Sequence, residues 1–270
     1  MGSPLKVYAS PQEGYTSLLR RGKRGMEWLE LGLLRMPASQ DYRARTGGKE
    51  LLLVVQGGMV HLEVKGQRWE FLGQRQDVFD GPATAAYIPP GYSFKLTSVG
   101  ESEVAFAWAI GAGSAGGEPY VILPHEVGIS QRGGAGFRRE IHSILPVERP
   151  AGRLIAGETF QSGGEWSSYP PHKHDRQRPP EECRMEEVYL YRIDPPRGFG
   201  LQRIYSPDGG LDEPLLLKDR MAVGIRSGYH PVVSAPGYRL YYLWFLAGES
   251  RELIAYDDPD HAWVASGETR

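Results

Sequence analysis

The chain has 270 residues, 40% apolar and 24% charged, a profile that fits a globular protein with room for one large or two modest domains. Its formal net charge of -2 excludes a global field that would draw in nucleic acid or an anionic membrane, so an acidic ligand must be recognised by local arginines. No window approaches the apolar length of a bilayer span, the start M-G-S-P-L-K-V-Y has no signal-peptide core, and the single cysteine, Cys183, excludes an intrachain disulfide; the expectation is a cytoplasmic protein.

Taken in chain order, the predicted elements are short apolar runs: Trp28 to Met36, Leu51 to Val55, Val60 to Val64, Ala85 to Ile88, Val104 to Ile110, Leu154 to Phe160, Val188 to Ile193, Leu201 to Tyr205 and Tyr238 to Leu246. Turns rich in Gly, Pro and Asp separate them, and long stretches with a 3.6-residue period are scarce, so the reading is all-β.

Laid on itself, the chain shows a repeat. Glu50 is followed 43 residues later by Ser93 in G-Y-S, and Glu187 is followed 43 residues later by His230 in G-Y-H. At the same offset of 137, A-W-A-I-G ending at Gly111 falls on W-F-L-A-G ending at Gly248. This self-similarity predicts a duplicated β domain, divided in the small-residue stretch at 112 to 118, with an N-terminal domain over 1–115 and a C-terminal domain over 116–270.

The chemistry is expected in the second copy. His172 and His174 in P-P-H-K-H-D are two residues apart, so on an extended strand both imidazoles leave the same face and Lys173 leaves the other. With Glu187 at the head of E-V-Y-L-Y-R and His230 later, they form a nitrogen and oxygen set suited to one divalent ion, Zn(II) first and Mn(II) or Fe(II) as alternatives. In the first copy Ser93 stands for His230 and Arg43-x-Arg45 for the histidine pair, a set that cannot hold such an ion. Glu181, Glu182 and Glu186 are neighbouring carboxylates; Glu187 is preferred because it heads the strand and the repeat pairs it with Glu50. His61, His125, His142 and His261 have no partner at ligand spacing and read as structural or surface residues, and Cys183 has no base beside it.

A His-x-His, a downstream Glu and a later His on short strands resemble the cupin superfamily, whose barrel is a small jelly roll, and two such units look like a bicupin. S-S-Y-P-P-H-K-H-D, E-V-Y-L-Y-R, G-F-G-L-Q-R-I-Y and the run from Gly228 to Gly248 closely resemble the 5-deoxyglucuronate isomerase family of bacterial inositol catabolism, which is related to the pectin-pathway deoxyhexuronate isomerases. The resemblance implies His172, His174, Glu187 and His230 as metal ligands. It also implies conversion of 5-deoxy-D-glucuronate to 5-dehydro-2-deoxy-D-gluconate by an intramolecular oxidoreductase. The segment Asp175 to Glu186 departs from the pattern, being longer than the usual link between the histidine pair and the carboxylate.

Such an aldose-ketose isomerisation passes through an enediolate that a divalent ion stabilises, and it needs a proton shuttle and a cation for the substrate carboxylate. If Asp194 to Gly198 is a hairpin turn, Arg203 faces Tyr189 and Tyr205 faces Glu187, which makes Arg203 the carboxylate anchor; a one-residue slip points Gln202 inward instead. Arg203, Tyr205, Gln202 and Tyr229 are the catalytic candidates, and the base itself is not identified. Arg176, Arg178 and Arg184 form either a lid or a solvated loop. The partner is a small sugar acid, with no nucleic acid or membrane, and a homo-oligomer is expected from the architecture. The alternatives are an isomerase of another deoxyhexuronate, an Fe(II) dioxygenase on the same ligands, and a non-catalytic sugar-binding cupin.

Overall fold

The computed structural model describes residues 5–9, 12–23, 25–111 and 117–266. The first half carries β1 (Leu5–Tyr8), β2 (Gly14–Leu19), β3 (Leu29–Met36), β4 (Asp41–Arg45), β5 (Lys49–Gly57), β6 (Val60–Val64), β7 (Gln67–Leu72), β8 (Ala85–Ile88), β9 (Ser93–Ser98), β10 (Ser102–Ile110) and β11 (Tyr120–Ile122). The second carries β12 (Gly128–Arg132), β13 (Arg139–Leu145), β14 (Ile155–Gln161), β15 (Trp166–Ser167), β16 (His172–Lys173), β17 (Met185–Asp194), β18 (Gly200–Tyr205), β19 (Asp212–Leu217), β20 (Met221–Ile225), β21 (Val232–Ser234), β22 (Arg239–Gly248) and β23 (Tyr256–Asp257). All nine predicted runs are strands; those the pattern missed are mostly polar or half-exposed, such as β4 and β12, where apolar residues are too few to set a period.

Each half pairs a large sheet with a small one. The orders are β11-β8-β5-β10-β3-β2 with β4-β9-β6-β7, and β1-β20-β17-β22-β14-β13-β12 with β15-β21-β18-β19. The architecture is all-β, two tandem cupin barrels. Leu51, Leu53, Phe94, Phe106 and Trp108 fill the first barrel. Tyr189, Tyr191, Ile204, Leu215 and Tyr242 fill much of the second.

The large sheets then pack back to back. Leu31, Leu52, Val54, Ala105 and Ala107 from one meet Ala156, Val188, Leu190, Leu243 and Phe245 from the other. A strand buried on both faces reads as a continuous apolar run rather than an alternation, which is why L-L-L-V-V and W-F-L-A are so conspicuous. Two carboxylates clamp this interface. Glu186 accepts backbone N–H bonds from Glu27 at 2.8 Å, Trp28 at 2.7 Å and Leu29. Glu50 accepts them from Gly152 at 2.7 Å, Arg153 at 2.5 Å and Leu154 at 3.0 Å, and the Tyr87 hydroxyl donates to it at 2.6 Å. Arg75 and Glu158 add an ion pair at 2.6 Å with both side chains almost fully buried.

The predicted boundary at 112 to 118 falls largely on 112–116, outside the described residues. On either side the strands cross over. β1 pairs with β20 of the second barrel, and β11 pairs with β8 of the first, so the sheets do not divide where the chain was divided.

Removing the Glu186 carboxylate leaves three backbone donors without their acceptor. Glu186→Ala is expected to lower unfolding stability by about 1–3 kcal/mol in urea or thermal denaturation, whereas Glu181→Ala, on an exposed side chain, leaves the midpoint unchanged.

Candidate metal centre

Three of the four predicted donors converge inside the second barrel: the ligand atoms of His174, Glu187 and His230 lie within 4.8 Å of one another, and all three residues are buried. Nε2 of His174 and Nε2 of His230 each lie 3.2 Å from the same oxygen, Oε2 of Glu187. His172 stands at the edge of the group, its ring centroid 4.9 Å from that of His230 and 6.4 Å from that of His174. It lines the same cavity.

Backbone placement explains the convergence. His174 Nδ1 donates to the carbonyl of Met185 at 2.9 Å and His230 Nδ1 to that of Gly228 at 2.9 Å. These bonds commit each Nδ1 as the proton carrier, so that Nε2 would be the atom offered to a cation, the tautomer that metal binding requires. His230 Nε2 is buried and faces the Glu187 carboxylate at 3.2 Å without a well-formed hydrogen bond, so a cation between them would satisfy both groups. The donor set of imidazoles and one carboxylate fits a divalent ion.

Gly228 is set by close approach. It adopts φ +90°, and a Cβ there would meet the Tyr205 carbonyl oxygen at 2.6 Å. Its N–H donates to Asp175 at 2.8 Å, which fixes the turn that delivers His230 two residues later.

Electrostatics follow from burial and mutual pairing. Burial alone would raise the Glu187 carboxyl, but its pairing with the His174 and His230 imidazoles outweighs burial and holds it down to about 2. Burial, and then the positive charge of His230 and His174, pushes His172 down to about 3, which keeps it neutral. Burial opposes protonation of His174 too, but there the Glu187 carboxylate prevails and the pKa rises.

The choice among the acidic residues is made by the strand. Glu186 and Glu187 point to opposite faces of β17, one to the inter-barrel clamp and the other into the cavity. Glu187 is the carboxylate that meets the histidines, but its pairing with Glu50 in the repeat does not hold. The structural counterpart of Glu50 is Glu186, since both clamp the opposite barrel, and Leu51 in the apolar core occupies the place of Glu187. The arginine pair also needs correction. Arg43 and Arg45 lie on the exposed face of β4, while Tyr42 and Ala44 pack on the core.

The segment from Asp175 to Glu186 is pinned rather than loose. Fully buried Glu182 accepts from Lys173 Nζ at 2.8 Å and from the Asp175 and Arg176 amides at 2.7 and 3.0 Å, and Lys173 also pairs with Asp175 at 2.7 Å. Arg178 pairs with Glu182, and Arg184 with Glu27 and Glu249, so neither covers the cavity. Cys183 is buried, with its thiol pushed up mainly by burial, the opposite of an activated nucleophile. His142 is buried too, with Nε2 2.8 Å from Glu140.

The predicted hairpin does not form. β17 lies in the large sheet and β18 in the small one, where β18 pairs with β19 and β21, so the residues from Asp194 to Gly198 cross between sheets. Arg203 is consequently 49% exposed and paired with Asp212 at 2.7 Å. It stands beside Tyr205 and Tyr229 in a separate depression, with Tyr205 donating to Asp258 at 2.5 Å. Gln202 is the inward residue, its amide 3.4 Å from the His230 carbonyl.

The cavity at the centre measures ≈ 150 Å³ and is lined by Ile141, Thr159, Ser168, Tyr189, Tyr242, Trp244, Leu246 and Leu253 besides His172, His174 and Glu187. Arg139 is the cation on that lining. Sequence reading missed it, although alternation along β13 puts Arg139 and Ile141 on one face; which cavity that face meets depends on sheet order. Tyr189 and Tyr242 pack with ring centroids 4.5 Å apart and planes tilted by 34°, and burial raises both phenols, so they are neutral hydroxyls.

Residues 7–264 match the KduI/IolB family. The chain belongs to this family. It is 37% identical to the 5-deoxy-glucuronate isomerase of Geobacillus thermodenitrificans over 96% of this chain and 94% of the relative, and 33% identical to that of Bacillus subtilis strain 168 over 88% of each. Among solved structures, an IolB-like protein of Salmonella typhimurium superposes with a TM-score of 0.93 at 31% identity, covering 97% of this chain and 99% of that one. An oxalate decarboxylase of Bacillus subtilis superposes at 0.65 and 11% identity over 95% of this chain and 80% of the other, a likeness of fold alone. Both barrels of this KduI/IolB member therefore lie inside the family match.

Two substitutions test the centre. Glu187→Gln is expected to abolish metal retention measured by elemental analysis after dialysis, while Glu186→Gln keeps it. Gly228→Ala is expected to cost about 1–3 kcal/mol of stability from strain at a positive φ and to lower metal content with it, read by denaturation and the same analysis.

Proposed function

We propose that the protein is an aldose-ketose isomerase that converts 5-deoxy-D-glucuronate to 5-dehydro-2-deoxy-D-gluconate in inositol catabolism. The observation that carries this reading is that relatives named 5-deoxy-glucuronate isomerase match nearly the whole chain at 32–38% identity. The cavity chemistry supports it. His174, Glu187 and His230, with His172 as the fourth, would hold one divalent cation, with Zn(II) ahead of Mn(II) and Fe(II). Such an ion supplies Lewis acidity at the carbonyl and adjacent hydroxyl of the substrate without any redox step.

The chain's own groups do the rest. Ser168 and Tyr189, 3.1 Å apart, offer neutral hydroxyls to a polyol. Ile141, Trp244, Leu246 and Leu253 form an apolar wall, better matched to the deoxy carbon than to another hydroxyl. On this reading the C-terminal barrel is catalytic, and the N-terminal barrel, whose interior is filled by Phe94, Phe106 and Trp108, is structural. No helix among the described residues is long and apolar enough to cross a membrane. A cytoplasmic setting is part of the same proposal. A homo-oligomer belongs to the same proposal, with size-exclusion light scattering as its measure.

The test is an anaerobic assay of metal-analysed protein on 5-deoxyglucuronate, following aldehyde loss and ketose appearance by NMR. Turnover without oxygen, lost in His174→Ala together with the metal, is the expected result. An intact, metal-loaded protein that leaves the aldehyde unchanged would overturn the assignment.

A further inference from the structure

Arg139 opens β13 and reaches the lining of the metal cavity, where every other ionisable neighbour is a histidine, a tyrosine or Glu187. Its Nη1 donates to the backbone carbonyls of Phe137 and Tyr169, both at 3.2 Å. Among the described residues no carboxylate lies within ion-pair distance of it. The Nε and Nη2 edge of the guanidinium is thus left for a ligand, and that edge matches a carboxylate with two parallel N–H bonds.

Its surroundings sharpen the case. Arg132 stands directly across the strand pair, adding a second positive charge, and burial disfavours the charge that Arg139 must carry. A half-buried guanidinium whose hydrogen bonds go to neutral carbonyls is left with a desolvation cost that an anion would offset. Arg203 by contrast is already neutralised by Asp212, through two bonds at 2.7 and 2.8 Å, and lies on a different depression.

We propose that Arg139 is the specificity-determining residue that receives the substrate carboxylate, holding the acid end of the sugar while the donor cluster of His174, Glu187 and His230 faces its carbonyl end. This rests on the isomerase reading for the substrate and deepens it by assigning the acid end. The cavity then divides by chemistry. The metal ligands and Arg139 select the two ends of an open-chain uronate, and the apolar wall of Ile141, Trp244, Leu246 and Leu253 takes the methylene between them.

The test compares the acid with its uncharged methyl ester on metal-loaded wild type, R139Q and R139K. Loss of a charge-assisted hydrogen-bond pair is expected to raise KM for the acid about 10–100-fold in R139Q. kcat should change little, the ester should react equally with wild type and R139Q, and metal content should be unchanged. R139K keeps the charge at a single point and is expected to recover part of the preference for acid over ester. Equal losses on acid and ester in both variants would reduce Arg139 to a structural role and overturn the inference, as would an unchanged KM. Calorimetric binding of the acid separates this from the isomerase reading. If wild type binds the acid without turning it over, isomerisation fails, while weaker binding by R139Q still upholds the anchor and R139Q binding equal to wild type overturns it.

Discussion

Strand β17 is buried on both faces, and this constraint divides its two consecutive glutamates between two jobs. One face meets the neighbouring barrel and the other lines a cavity, so a period of two residues sends Glu186 into the inter-barrel clamp and Glu187 to the histidines. Neither carboxylate is free to exchange roles, because a slip of one residue would also turn Val188 and Leu190 out of the shared core and Tyr189 and Tyr191 out of the barrel. The chemistry of the site is thus locked to the packing of the whole molecule.

Within the cavity the arrangement is one of charge held in place. A single carboxylate oxygen faces two imidazole nitrogens, and the opposite ring nitrogens are committed to backbone carbonyls. Each carbonyl comes from a segment that is itself fixed: Met185 begins β17, and Gly228 is held by Asp175, which Lys173 in turn binds. Lys173, between the two histidines, thereby ties the histidine strand to the turn that carries His230.

The first barrel shows what the same scaffold becomes without the donors. Leu51 replaces the inward glutamate and aromatic rings close the space that the second barrel leaves open. The clamp residue Glu50 is retained, since its work lies at the interface between the barrels and not inside either one. The duplicated barrel thus buries the outer face of the second barrel's large sheet, a surface of Val188, Leu190, Leu243 and Phe245 that water would otherwise meet.

The sequence by itself determined the all-β architecture, the duplication and the same-face pairing of His172 with His174, because strand alternation and apolar runs are local properties of the chain. Glu187 and His230 were its further candidates, and the fold brings both beside His174. Tertiary structure decided what depends on which strands become neighbours. It set Glu186 rather than Glu187 as the equivalent of Glu50, moved Arg203 out to solvent when β18 joined the small sheet, and brought Arg139 from β13 to the cavity. Strand order across a sheet is fixed by burial between residues distant in sequence, and no spacing along the chain encodes it.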